Sequence, residues 1–279
     1  MVASDDAALR GFCARILGWT NDAAIDHAIH SLDLAADHHA ALVLLGETDL
    51  VPIARALHRR VLGADRPFVV CDPRRRDGAD YESVRSPVNY GTGVAAFDAA
   101  VGGSLCVLAR RPPRDFSSVV ARIRATNEVQ LIVCADGRFD AHPFLTLPVP
   151  IRVPSLRVRT DELPKIVDEY ASDAVAELGV LRGDFTAAAR QWVLKNAPLT
   201  LAEIEKATLR LVAIRASRNM NDAAERLGMA RVSLTRWIDR RDLPPMPPER
   251  AQGHEPTRNR SRRRSSRWRM HCGGLQCIA

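Results

Sequence analysis

The chain has 279 residues, 46% hydrophobic but only 5% aromatic, enough for one large domain or two to three smaller ones around a buried core. No run approaches the about eighteen apolar residues of a membrane span, and "MVASDDAALRG" lacks a signal peptide's basic start and apolar middle, so a cytoplasmic protein without membrane contact is expected. The net charge of +7 is unevenly spread: residues 244–279 carry eight Arg against two Glu, and everything before them is nearly neutral.

Residues 1–40 read as helices, with Ala, Leu and Ile at three- and four-residue spacing through "AAIDHAIHSLDLAADHHA". His27, His30, His38 and His39 lie there, but no second segment completes a metal site, and they are expected on solvated helix faces. From residue 41 the pattern changes. Short apolar runs, "ALVLL" (41–45), "PFVVC" (67–71), "SLCVL" (104–108), "VQLIVC" (129–134) and "VPIRV" (149–153), alternate with helix-length spacers. Such runs indicate a five-stranded parallel sheet buried on both faces, hence an α/β body over 41–154. Cys71, Cys106 and Cys134 sit inside these runs and, like Cys13, are expected to be reduced and packed as small hydrophobes. Cys272 and Cys277 flank "GGLQ" beside His271 without a second ligand pair, so no metal is expected there.

After residue 154 the period becomes helical. "TDELPKIVDEYASDAVAEL" puts Leu163, Ile166, Val167, Tyr170, Val175 and Leu178 on one side, and "FTAAARQWVLKNA" continues in kind, giving a small helical domain over 155–199. Residues 200–243 hold a long amphipathic helix opened by a capping box, Thr200 with Glu203, then "NDAAERLGMARVSLTRWIDRRDL". There a helix over Asp222–Leu227, Gly228 in the turn and a second helix over Arg231–Arg240 make a helix-turn-helix, with Leu227, Met229, Leu234 and Ile238 inside. Residues 244–279 are rich in Pro, Arg and Ser with little to bury, and are expected to be a disordered basic tail.

In order and spacing, "LLGET…IARALHRR", "RPFVVCDP", "FDAAVGGSLCVL", "VPIRVPSLRVRTDELPKIVDEY" and "NMNDAAERLGMARVSLTRWI" resemble the sigma-54-dependent transcriptional activators. The resemblance implies an AAA+ body of the P-loop type, a small helical lid and a C-terminal Fis-type helix-turn-helix. It also implies a homodimer through the helix-turn-helix end or a higher oligomer, with the long helix 200–217 at the dimer interface. Double-stranded DNA is the implied partner, and sigma-54 or related activators are further ones. Only about 40 residues precede the α/β body, so an input signal is expected to come through a partner.

The departures from that pattern carry as much as the matches. A phosphate loop needs glycines that let backbone N–H groups reach the phosphates and a Lys that neutralises charge. Here Gly46 is followed by Glu47, Thr48 and Asp49, with neither a second Gly nor a Lys. Asp49 would place a carboxylate where an anion should sit, and can cap the helix itself; Pro52 removes a free N–H. Where the family has Asp-Glu after the third strand, the chain has Leu108, Ala109, Arg110 and Arg111, and its Thr-Asn sensor is replaced by Ala135 and Asp136. The WPGNVREL motif and the GAFTGA loop are missing as well. No catalytic residue, no metal and no cofactor is therefore expected.

The helix-turn-helix keeps its chemistry. Arg231, Ser233, Thr235 and Arg236 take the exposed positions of the second helix, from which base edges in the major groove are read, while Arg240 and Arg241 at its end suit phosphates. Trp237 is expected to pack against the long helix 200–217 or a partner subunit rather than to contact bases. The leading expectation is a DNA-binding transcriptional regulator without ATPase activity. A divergent but active ATPase and a protein-binding modulator of active relatives remain the alternatives.

Overall fold

A computed structural model of the chain describes residues 3–38, 40–46, 49–75, 87–136, 149–181, 185–197, 199–241 and 243. Two helices, α1 (Ala3–Leu17) and α2 (Asp22–His38), precede the sheet. The α/β body then runs β1 (Leu42–Leu45), α3 (Val51–Val61), β2 (Phe68–Cys71), β3 (Asn89–Tyr90), α4 (Gly93–Ala99), β4 (Ser104–Leu108), α5 (Phe116–Thr126), β5 (Gln130–Ala135) and β6 (Ile151–Arg152). The strands form one sheet of order β3-β2-β4-β5-β1-β6 with every pairing parallel.

The sheet has six strands, not the five expected from the apolar runs. The sixth is β3, an edge strand of two residues that pairs Asn89 with Val70 and Tyr90 with Cys71. The other five coincide with the runs: β1, β2, β4 and β5 are buried on both sides, while the edge strand β6 buries Ile151 and exposes Arg152. Successive residues feed opposite cores: Leu44, Val70, Cys106 and Ile132 face one, Val43, Val69, Leu105 and Leu131 the other. The second core is closed by α4 and α5 through Ala96, Phe97, Val119 and Ile123. Asp115, just ahead of α5, ties these two helices together by accepting from the N–H groups of Gly93 (2.9 Å) and Val94 (2.8 Å).

The first core is covered by α1, α2 and α3 and continues into the helical part: α6 (Leu163–Leu178), α7 (Ala187–Asn196), α8 (Leu201–Ala216), α9 (Met220–Arg226) and α10 (Arg231–Asp239). A short 3-10 turn, Leu156–Val158, leads from the sheet into α6. The changes of period at residues 154 and 199 thus mark changes of architecture inside one packed unit. Charged groups pin the joint. Arg15, 4% exposed, donates to Asp173 (2.5 Å) and Glu169 (3.0 Å) of α6, with its guanidinium over the Tyr170 ring. Arg159 returns the link by donating to Glu162 and to the carbonyls of Arg15 (2.8 Å) and Ile16 (2.9 Å). These two buried cations each have carboxylate partners, as burial of a charge demands.

Of the expected capping box, the half formed by Thr200 Oγ1 accepting from the Glu203 N–H (3.0 Å) opens α8. Ile204, Leu211, Val212 and Ala213 of α8 are enclosed by α6, α7 and α9. α9 begins two residues before Asp222 because Asn219 caps it, its Oδ1 accepting from Asn221 and Asp222. Gly228 turns the chain at φ +57°, a left-handed conformation that a side chain disfavours. No helix among the described residues is long and apolar enough to cross a membrane. The tail expected over 244–279 lies outside the described residues, as do Glu47 and Thr48.

Candidate functional site

Two places compete for function: the carboxyl edge of the sheet, where an α/β fold holds ligands, and the α9–α10 end. At the edge, β1 leads into Gly46, whose N–H donates to the Ala135 carbonyl (3.0 Å). A Cβ on Gly46 would meet Leu50 Cδ2 at 3.1 Å and the Val153 carbonyl at 3.2 Å, so side chains already crowd the turn. Leu50, 2% exposed, takes the N-cap position of α3. Asp49 sits one residue earlier, exposed, with Oδ1 accepting from the Val51 N–H (3.2 Å). With Pro52 contributing no N–H, two donors of the first turn are gone before any anion could use them. Beside Gly46 a groove of about 790 Å³ runs between α2 and β6, its lining mostly apolar, with Arg152 and His27 among it.

The neighbouring strand ends are matched in charge. Arg110 pairs with Asp136, and Arg111 Nη1 lies 3.5 Å from Asp72 Oδ2. Asp72 is buried; its Oδ1 accepts from the Arg74 N–H (3.0 Å), and its own N–H donates to Asn89 Oδ1 (3.0 Å). A divalent cation would therefore have to displace a guanidinium from either aspartate. Below the edge, Cys106 and Cys134 put their sulfurs 3.7 Å apart, and this contact with burial holds the Cys134 thiol well above the usual thiol range. Burial also pushes the Cys13 thiol up to about 11. Protonated, enclosed thiols of this kind are core groups rather than nucleophiles. His27 is taken up by the Val149 carbonyl (3.2 Å) and Ser31, and no group of three or more His, Cys, Asp or Glu among the described residues could hold a metal.

The α9–α10 end is built differently. Leu234 and Trp237 anchor α10 in the core, which leaves Arg231, Ser233 and Arg236 exposed on the opposite side. Thr235 is half-buried at the margin of that face, and Val232 is 59% exposed within it. Trp237 meets Trp192 of α7 edge-on, ring centres 5.8 Å apart. Arg240 is exposed past the helix end, while Arg241 folds back so that Nη1 donates to the Trp237 carbonyl (3.2 Å). Reasoning from the sequence missed Arg210 of α8, which also reaches Trp237 (5.1 Å to the ring centre). Its signal was a lone cation between the buried residues Leu209 and Leu211.

No protein-family model matches the chain. Over 197 aligned residues it is 27% identical to the transcriptional regulatory protein XylR of Pseudomonas putida, covering 58% of this chain and 34% of that protein. The chain is similar to a transcriptional regulator. It spans about a third of that relative's length. Among solved structures, NtrX from Brucella abortus in complex with ADP aligns with 78% of this chain and 68% of its own, at 16% identity and a TM-score of 0.43. The ATP complex of the same protein gives 18% identity and a TM-score of 0.37, covering 78% of this chain and 67% of its own.

Proposed function

We propose that the protein is a sequence-specific DNA-binding transcriptional regulator related to the sigma-54-dependent activators, and that it works without hydrolysing ATP. The observation that carries this reading is the split face of α10: Leu234 and Trp237 fix it to the body, and Arg231, Ser233 and Arg236 project outward. In a helix-turn-helix of Fis type, α10 lies in the major groove and α9 crosses the backbone. Arg231 and Arg236 would read guanine through paired donors, Ser233 and Thr235 would contact bases or phosphates, and Arg240 would hold the backbone.

The absence of hydrolysis is supported by the matched pairs Arg110–Asp136 and Arg111–Asp72 and by Asp49 at the start of α3. The partners in this reading are double-stranded DNA, a second copy of the chain and, through the AAA+-like body, sigma-54 or related activators in the cytoplasm. Because the apolar residues of α8 are enclosed within the chain, a second copy would be met on the outer surface of the α9–α10 end.

Selection of bound fragments from a random duplex pool tests the reading. The parent protein should enrich one operator, and Arg231→Ala and Arg236→Ala should each weaken retention of it relative to a scrambled duplex. A parent that enriches nothing, or variants that hold the operator as the parent does, would remove α10 as the reading helix.

A further inference from the structure

Among the described residues, no carboxylate pairs with the guanidinium of Arg210. Its Cζ lies 5.1 Å from the centre of the Trp237 ring, and Arg241 approaches the same ring at the same distance. Arg241 is accounted for: it donates to the Trp237 carbonyl at the end of α10, where the helix carries roughly half a negative charge. Arg210 is not. Among the described residues its buried Nε has no hydrogen-bond partner, and no carboxylate acts on it. Burial and the charge of Arg241 push its pKa down to about 10, so it remains a cation at neutral pH. The contrast with Arg15 is direct. Arg15 also has an unpartnered Nε, but its two terminal nitrogens hold Asp173 and Glu169.

Holding one cation beside another in a partly dehydrated place is unfavourable until an anion joins them. Planar guanidinium forks suit the oxygens of a tetrahedral phosphate. We infer that Arg210 and Arg241, set against Trp237, form an anion site that takes a phosphate oxygen at the C-terminal end of α10. The source is a phosphodiester of the duplex, a choice that rests on the DNA-reading role proposed for α10; free inorganic phosphate presents the same chemistry. Such a contact fixes register without reading sequence. Arg210 joins the DNA interface from a helix whose apolar side is core.

The test uses the full chain and measures duplex binding across a range of KCl concentrations, on the selected operator and on a scrambled duplex. R210M should make the fall of log K with log[salt] shallower by about 0.9 and weaken binding about eightfold at 0.1 M salt, equally on both duplexes. R210K should keep most of the slope, and R231A should keep the slope while losing operator preference. R241M, altered at an exposed residue, should lose slope as R210M does. It carries the test even if R210M folds poorly, and an unchanged slope in either folded variant overturns the site. In a second arm, the thermal midpoint is compared in inorganic phosphate and in chloride at equal ionic strength. Phosphate should raise the parent's midpoint and not that of R210M or R241M. If the parent binds no DNA but this arginine-dependent phosphate effect persists, the anion site stands and the DNA reading falls. If phosphate treats parent and both variants alike, the anion site is wrong.

Discussion

The carboxyl edge of the sheet and the α9–α10 end both gather arginines, and treat them in opposite ways. At the edge, Arg110 and Arg111 are matched one-to-one with Asp136 and Asp72 from neighbouring strand ends. At the other end Arg226 pairs with Asp222, but Arg231, Arg236 and Arg240 are exposed, and no carboxylate among the described residues acts on Arg210. Charges that neutralise one another within the chain leave little field for a ligand, whereas an uncompensated cluster concentrates field where an anion can approach. That difference is what favours the α9–α10 end in the proposed reading, although the sheet edge has the more familiar shape.

The largest effect should come from detaching the charged end. Trp237 packs against Trp192, and both are 8% exposed in the core that also holds α1, α3 and α6. Trp237→Ala should cost about 3–5 kcal/mol, by loss of apolar contact and the cavity left behind. Chemical denaturation of the parent should show one transition across residues 3–243, and the variant one earlier transition. A separate early phase confined to α8–α10 would mean that the two ends are independent domains, and the comparison would lose its common frame.

Next in size is the loss of base reading. Arg231→Ala should reduce operator-over-scrambled discrimination by about 1–3 kcal/mol, the range for one bidentate contact. Arg111→Ala, on the sheet edge, should leave that discrimination unchanged in the same titrations. Equal losses from the two substitutions would show that DNA touches both ends, and the contrast would be false.

A smaller effect separates the ends by pH. Burial holds the pKa of His58 below its usual value; its Nε2–H donates to the Arg66 carbonyl (3.0 Å) and its Nδ1 accepts from Ser104 (2.8 Å). The unfolded chain binds this proton more readily, so His58 contributes stability above the unfolded pKa of about 6.5 that is lost as pH falls through the depressed folded value. Asp115 acts in the same direction at lower pH, since the Gly93 and Val94 N–H groups depress its pKa. Denaturation between pH 7.5 and 5 should show stability falling by at most about 1.4 kcal/mol per pH unit for the single proton. His58→Gln should flatten that slope without altering the salt dependence of DNA binding.

How far each end was legible in the sequence follows from what its residues depend on. Four strands could be read because a strand buried on both faces must be apolar throughout, and the edge strand β6 because Val149, Ile151 and Val153 alternate around exposed Arg152. β3 could not, because Asn89 and Tyr90 form no apolar run and their place comes from pairing with β2 and from the Asn89–Asp72 bonds. The Asp49 contact at the start of α3 was legible as local chemistry, two residues from its donor. The Arg111–Asp72 pair was not: its partners lie 39 positions apart, and only the adjacency of β2 and β4 unites them. The outward residues of α10 could be read from its period. Arg210 could not, since its want of a carboxylate among the described residues is a property of everything around it.

The smallest predicted effect is none at all, and it bears on the sheet edge directly. A nucleotide bound at a concentration one hundred times its Kd would stabilise the fold by about 2.7 kcal/mol. In a chain of this size that raises the thermal midpoint by about 5–11 °C. One millimolar Mg–ATP should leave the midpoint of this protein where it was. Gly46 is crowded by Leu50 and Val153, the Val51 N–H is taken by Asp49, and the aspartates that could hold Mg²⁺ already hold Arg110 and Arg111. A rise of several degrees would show that ATP breaks those pairs and uses them, and the edge would have to be counted as a site with a latch. If the midpoint also stays put in Arg110→Ala and Arg111→Ala, the crowded turn excludes the nucleotide by itself; if it then rises, the ion pairs were the barrier.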